Sequence, residues 1–309
     1  MEKRNGLMSV IIPAYNEKEN TRLCAETIGG ILTSASVPYE IIFVDDGSAD
    51  ETWKIIRDIS LTDPNVRGLR FSRNFGKEGA LFAGMKYARG ECAAFIDCDL
   101  QHPPELLPKM YEHWQNGVEI VEAVKADRGK ESIIYKMCAG IFYNIMLGAK
   151  VDIKGGSDYK LIGRAPLDEL LRFPERLTFF RALSSWVGYE KVKIPFEVRP
   201  RAHGTTKWNY PKLIKYAVNN FTSFTAFPLH IITGLGVLFF VFAVALGIHT
   251  LYNYFANDSL GGFTTVILIL LVTGSLLMIG LGIIGLYIEK IYEEIKGRPR
   301  YIVSETTDK

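Results

Sequence analysis

Two carboxylates one residue apart, Asp97 and Asp99, close the apolar run Ala93–Ile96 in the string FIDCDLQHPP. On an extended chain, side chains two apart point to the same side. Two carboxylates so placed at a strand's end repel each other unless a cation lies between them. All-oxygen donors suit Mg2+ or Mn2+, ions that commonly join one or two carboxylates to a substrate's phosphates. The alternative is a pair of solvated loop aspartates, and the spacing alone leaves both open. Cys98 between them is expected to point the other way and pack. A second acidic turn, Asp45-Asp46-Gly47-Ser48, follows the apolar run YEIIFV. Such a pair can accept hydrogen bonds from a base N–H or from ribose hydroxyls. Turn and cap chemistry is the other option, but Asp50 is better placed to cap the next helix. Of the two, Asp46 is ranked second as a ligand contact.

The elements that must position these groups alternate. Strands are expected at Met8–Pro13, Tyr39–Val44, Val66–Phe71 and Cys92–Ile96, and helices from Tyr15-Asn16-Glu17 to about Leu32, after Asp50, over Lys77–Ala88 and over Pro104–Asn116. Alternation of this kind implies a mainly parallel sheet covered on both faces. Ligands of such sheets bind beyond the carboxyl ends of the strands. Tyr15/Glu17, Asp45/Asp46, Arg73/Asn74 and Asp97/Asp99 all follow strands directly, so they are expected to converge on one edge. The chain has no GxGxxG and no Walker loop, which counts against ordinary dinucleotide and P-loop sites.

Of the 309 residues, none between Tyr216 and Asn257 is Asp, Glu, Lys or Arg, and none between Ser259 and Ile288. Each stretch exceeds the roughly 20 apolar residues that cross a bilayer. Membrane helices are expected near Leu229–Tyr254 and Phe263–Ile288, with Tyr252, Tyr254 and Phe255 at the outer interface. Lys207, Lys212 and Lys215 precede the pair, Lys290, Lys296, Arg298 and Arg300 follow it, and the link holds only Asp258. The positive-inside rule then puts both flanks in the cytoplasm. Leu213, Ile214, Ala217, Val218 and Phe221 recur at helical spacing opposite Lys212 and Lys215, the pattern of an interfacial amphipathic helix over 209–227. No long apolar run precedes the first strand, so no cleaved leader is expected. The net charge of +2 suggests no nucleic-acid partner. Cys24, Cys92, Cys98 and Cys138 lack metal spacing and suit a reducing compartment.

The strings VIIPAYNE, VDDGSADET, RNFGKEGALFAG, IDCDLQHPPELLP and RPRAHGTTKW occur in this order. The chain resembles glycosyltransferase family 2, of the GT-A fold. More narrowly it resembles the polyprenyl-phosphate glycosyltransferases of the bactoprenol glucosyltransferase type, related to dolichyl-phosphate mannose synthase. The resemblance implies a GT-A domain over 1–208, the interfacial helix over 209–227, two membrane helices within 228–289 and a cytoplasmic tail over 290–309. It implies a protein of the inner, cytoplasmic membrane, active as a homo-oligomer. It further implies inverting, metal-dependent transfer of a sugar from a nucleotide sugar to undecaprenyl phosphate, with UDP-glucose as first choice and N-acetylglucosamine, galactose, mannose or an aminopentose as the alternative sugars. Pro13, Tyr15 and Glu17 would line the nucleotide site, with Asp45 and Asp46 at the base or ribose. Asp97 and Asp99 would border the diphosphate, Asp99 as the direct ligand of Mg2+ or Mn2+, and Gln101 would support the metal or the sugar. Arg201 and Lys207 would close over the diphosphate on a loop bent at Gly204. Arg128 and Lys136 would grip the acceptor phosphate, although Gly140 stands where a serine is expected. Asp158 matches the acid that this branch carries as its candidate base; a phosphate dianion hardly needs deprotonating, so Asp158 is expected to orient or tune. Phe179, Phe180, Trp186 and Tyr189 would lie near the sugar and acceptor, or pack in the core.

Two rivals remain on the sequence alone. A processive polysaccharide synthase of the same fold would carry Q-x-x-R-W and more membrane helices, and Phe180–Trp186 is not that signature. A catalytically idle assembly protein would be expected to lose the acidic pair, which is retained.

Overall fold

The computed structural model describes residues 3–126, 156–175, 179–197, 227–255 and 262–308. The chain divides into two units, Met1–Trp208 with Arg298–Lys309, and Asn209–Gly297.

The first unit is built on one eight-stranded sheet in the order β7-β5-β6-β4-β1-β2-β3-β8. Its parallel half comprises β1 (Met8–Ala14), β2 (Tyr39–Asp45), β3 (Val66–Phe71) and β4 (Cys92–Phe95), with Val10 level with Ile41 and Ala94. β1 and β2 are buried at nearly every position, as strands covered on both faces must be. Helices α1 (Thr21–Ser34), α2 (Thr52–Thr62) and α4 (Leu106–Gln115) bury stripes at helical spacing, such as Cys24, Ile28 and Leu32, against Met8, Val10 and Ile12. Helix α3 (Lys77–Tyr87) is buried continuously from Gly79 to Met85. It lies so close to β1 that a Cβ at Gly84 would meet Ile11 Cγ2 at 2.3 Å.

The other half adds β5 (Ile120–Lys125), β6 (Lys160–Gly163) and β7 (Lys191–Phe196), with β6 antiparallel to both β4 and β5. Helices α5 (Arg164–Arg172) and α6 (Phe180–Trp186) lie between β6 and β7. At the opposite edge β8 (Val303–Thr306) runs antiparallel to β3. Residues expected only as a tail thus supply a strand. They are fixed by Arg67–Asp308 bonds, by the Trp53 indole N–H donating to Glu305 at 2.9 Å, and by Tyr301 stacked on Phe71 at 5.1 Å.

One expected boundary moves. The first helix starts at Thr21, not at Tyr15–Glu17. Asn16 takes a positive φ of 53°. The Asn16 N–H donates to Ser48 Oγ and the Glu17 N–H to Thr52 Oγ1, both at 2.9 Å, while Asn16 Oδ1 accepts from the Ala49 N–H. These side-chain partners draw the backbone out of the helix.

The second unit contains α7 (Phe227–Phe255) and α8 (Phe263–Ile295). Pro228–His249 and Val272–Ile295 have mean hydropathies of 2.6 and 1.7. Both helices are long and apolar enough to cross a membrane. They present Leu238, Phe240, Leu277 and Met278 outward. The second continues past the expected Ile288 into its charged end. The expected interfacial helix lies outside the described residues apart from Phe227, which opens α7.

Candidate active site

The ends of β1, β2, β3 and β4 open into one cleft of about 310 Å³. β1 contributes Pro13, the segment after it Tyr15 and Glu17, the β2 turn Asp46, the segment before α3 Asn74 and Gly76, and the segment after β4 Asp97 and Asp99. The expected convergence of the post-strand signals is therefore present. Glu17 accepts from the Asn20 amide at 2.7 Å.

The two acids of the β2 turn divide their roles, and the structure reverses the expected ranking. Asp45 is fully buried and does not line the cleft. It accepts from the Ser48 N–H at 3.1 Å and faces Arg70 Nε at 3.4 Å, so it braces the turn. Asp46 lines the cleft and accepts the N–H groups of Phe75 (2.6 Å) and Gly76 (2.9 Å). Burial pushes its pKa up to about 6, against the pull of those two donors. Gly47 makes the approach possible: its φ is +68°, and a Cβ there would lie 2.5 Å from the Arg73 carbonyl carbon.

Asp97 and Asp99 sit in a turn rather than on extended chain, because β4 ends at Phe95 and Leu100 has a φ of +55°. Cys98 between them is buried, as are Cys24 and Cys92. Asp99 Oδ1 accepts from the Gln101 N–H at 3.2 Å; Gln101 itself does not line the cleft. Asp97 Oδ1 lies 2.6 Å from Lys77 Nζ. The cation that the carboxylate pair needs is thus partly supplied by a lysine at the start of α3.

Lys77 also reaches Asp158 Oδ2 at 3.2 Å, and Arg181 of α6 approaches Asp158 Oδ1 with Nε and Nη2, each at 3.2 Å. Burial opposes the charge on Asp158, yet Lys77 and Arg181 overcome it and hold the carboxyl well below its ordinary range. Glu78, next to Lys77, accepts from the Phe180 N–H at 2.8 Å. Burial, with Asp158 nearby, raises its pKa to about 8. His102 stacks on Tyr159 at 5.2 Å, and its Nδ1 stands 3.8 Å from Asp97 Oδ2. Burial lowers its pKa. Tyr159 anchors the same turn by donating its hydroxyl to the Pro103 carbonyl at 2.8 Å. Of the aromatic patch, Phe179 and Phe180 are core, Phe180 against Phe95 at 4.6 Å, while Trp186 is exposed beside Phe173. Arg128, Lys136, Arg201 and Lys207 lie outside the described residues.

The donor set fits a hard divalent cation. Among the described residues no group of three His, Cys, Asp or Glu side chains gathers into a cage. The cleft instead offers carboxylate oxygen at Asp99, with Asp97 beside it. Mg2+ is commonly held in this way, by one or two carboxylates plus phosphate oxygens.

Residues 9–153 match the family model described as Glycosyl transferase family 2. A bactoprenol glucosyl transferase of Shigella phage SfII is 34% identical over 306 residues, covering 97% of this chain and 98% of that one. An uncharacterized glycosyltransferase of Synechocystis is 36% identical over 305 residues, covering 96% and 95%. This chain belongs to glycosyl transferase family 2. A solved structure of glucosyl-3-phosphoglycerate synthase from Mycobacterium tuberculosis, with Mn2+, UDP and phosphoglyceric acid, matches at TM-score 0.48 and 19% identity over 68% of this chain and 74% of that one.

Four titratable residues at or beside the cleft were missed by the sequence reading: Lys77, Glu78, His102 and Arg181. For Lys77 and Glu78 a signal existed, since Arg73 and Asn74 just before them were read as post-strand polar residues. Arg181 carries no such signal, because α6 reaches the site only through the antiparallel half of the sheet.

Proposed function

We propose that this glycosyltransferase moves a sugar, glucose as first choice, from a nucleotide sugar such as UDP-glucose to undecaprenyl phosphate at the cytoplasmic face of a membrane. One observation carries the reading: an acidic cleft at the strand ends shares a chain with two membrane-length apolar helices, in a sequence collinear with bactoprenol glucosyl transferases. A prenyl chain stays in the bilayer, so an enzyme that uses it must work at the surface.

In this reading Tyr15, Glu17 and Asp46 hold the nucleoside, Asp46 through its ribose or base, and Asp99 holds Mg2+ or Mn2+ beside Asp97. When bound, the ion supplies Lewis-acid stabilisation of the leaving diphosphate. Arg201 and Lys207 add positive charge over the same group, and Arg128 and Lys136 receive the acceptor phosphate. A phosphate oxygen attacks the anomeric carbon in line, the bond to the nucleoside diphosphate breaks, and the configuration inverts. A phosphomonoester has its second pKa near 6 and is largely dianionic at pH 7. The acceptor therefore arrives already deprotonated. Asp158, held ionised between two cations, orients these groups rather than taking a proton.

Membranes containing the protein, given radiolabelled nucleotide sugars and undecaprenyl phosphate, are expected to place label in a mild-acid-labile lipid. Label in polymer, or none from any donor, overturns the reading. Asp99→Ala is expected to lower turnover by about a thousandfold or more, because it removes metal and diphosphate placement together.

A further inference from the structure

We propose that Lys77 is a positioning residue of the transfer, which keeps Asp97 out of the divalent cation's coordination, leaves that ion to Asp99 and the diphosphate, and ties the cleft to Asp158. The proposal rests on the reading of the cleft as a nucleotide-sugar site.

Asp97 meets a cation at one oxygen and an imidazole near the other. Its Oδ1 is 2.6 Å from the Lys77 ammonium, and its Oδ2 faces His102, which is wedged between Tyr159 and Phe196. Lys77 springs from a fixed piece of backbone. It is the first residue of α3, and the N–H of the preceding Gly76 is held by Asp46. Its second partner, Asp158, is pinned by Arg181, whose Nε and Nη2 both meet Oδ1. Arg181 is rooted in α6, whose Ser184 accepts a hydrogen bond from Lys160 at 2.8 Å, and Lys160 pairs with Glu122 at 2.9 Å, both fully enclosed. A cation that took Oδ1 of Asp97 would have to break its ion pair with the ammonium, and one that took Oδ2 would sit within a few ångströms of that charge. Loss of the ion pair opposes the first, and like-charge repulsion opposes the second. Asp99 lines the same cleft, and the N–H of Gln101 orients it. Lys77 thus sets which of the two carboxylates meets the metal, and so where the diphosphate rests.

Opposite movements of metal affinity and turnover test this. Mn2+ binding to the full-length protein with UDP present is followed by electron paramagnetic resonance, alongside transfer kinetics. Lys77→Gln frees Asp97 as an extra ligand, so Mn2+ should bind several-fold tighter, while turnover falls by about 10- to 100-fold. A mere structural loss would weaken both. Lys77→Arg should restore the looser Mn2+ binding and part of the turnover. Adding Asp97→Asn to Lys77→Gln should abolish the tightening. Asp97→Asn alone, a near-isosteric change, should leave Mn2+ affinity unchanged, and this arm stands even if the lysine variant does not fold. Unchanged or weaker Mn2+ binding by folded Lys77→Gln, or loss of Mn2+ binding by Asp97→Asn, overturns the proposal. Wild-type protein that bound no Mn2+ with UDP would instead overturn the proposed function itself.

Discussion

Asp158 illustrates how a residue's role depends on what charges surround it. In isolation an acid in Gly156-Ser157-Asp158-Tyr159 suits either a general base or a loop cap. Between Lys77 and Arg181 it is a fixed anion. Its carboxyl is held below its ordinary value of 3.8, so the native state binds this proton less readily than the unfolded chain. The resulting stability is complete above that value and is lost as pH falls below it. Asp158→Asn is expected to reduce turnover by less than about a thousandfold, with no recovery in more basic solution. A pH–rate profile checks this; a larger loss rescued by base would restore the base role. Asp97, Asp99, Tyr15 and Glu17 were legible as site residues because each follows an apolar strand. The place of Asp45 was not legible, because its full burial at the end of β2, facing Arg70, is a tertiary fact that the DDGS string does not reveal.

Among the elements, α3 couples stability to chemistry. It needs glycine at position 84 to sit on Ile11, and it carries Lys77 at its first turn. Gly84→Ala gains about 1 kcal/mol of helix propensity but overpacks a full core, which costs about 1–3 kcal/mol. A net loss of stability with reduced turnover is expected, measured by thermal unfolding and by label transfer. The parallel half of the sheet was readable from uninterrupted apolar runs with turns between them. The antiparallel half was not. β6 is four residues long and begins with buried Lys160, paired with Glu122 of β5. A charged pair in the core erases the hydrophobic pattern on which strand recognition depends.

At the level of the whole molecule, the two apolar helices announced themselves by the absence of charge over long stretches. Strand β8 did not, because VSET is short and mostly exposed and is held by Trp53, Arg67 and Arg70 on other elements. A fragment ending at residue 208 should therefore be less stable, by about 2–4 kcal/mol, than the same fragment joined through a flexible linker to 298–309. Urea unfolding of the two checks this. The shorter fragment should also associate, because removing β8 bares the edge of β3.

The same strand imposes an order on biosynthesis. β8 is encoded after both apolar helices, so its pairing with β3 has to wait until the ribosome has released them. A nascent chain stalled before that point displays an unfinished border with Arg67 lacking Asp308. Completion of the sheet therefore follows synthesis of both apolar helices, and until then the β3 edge stays unpaired.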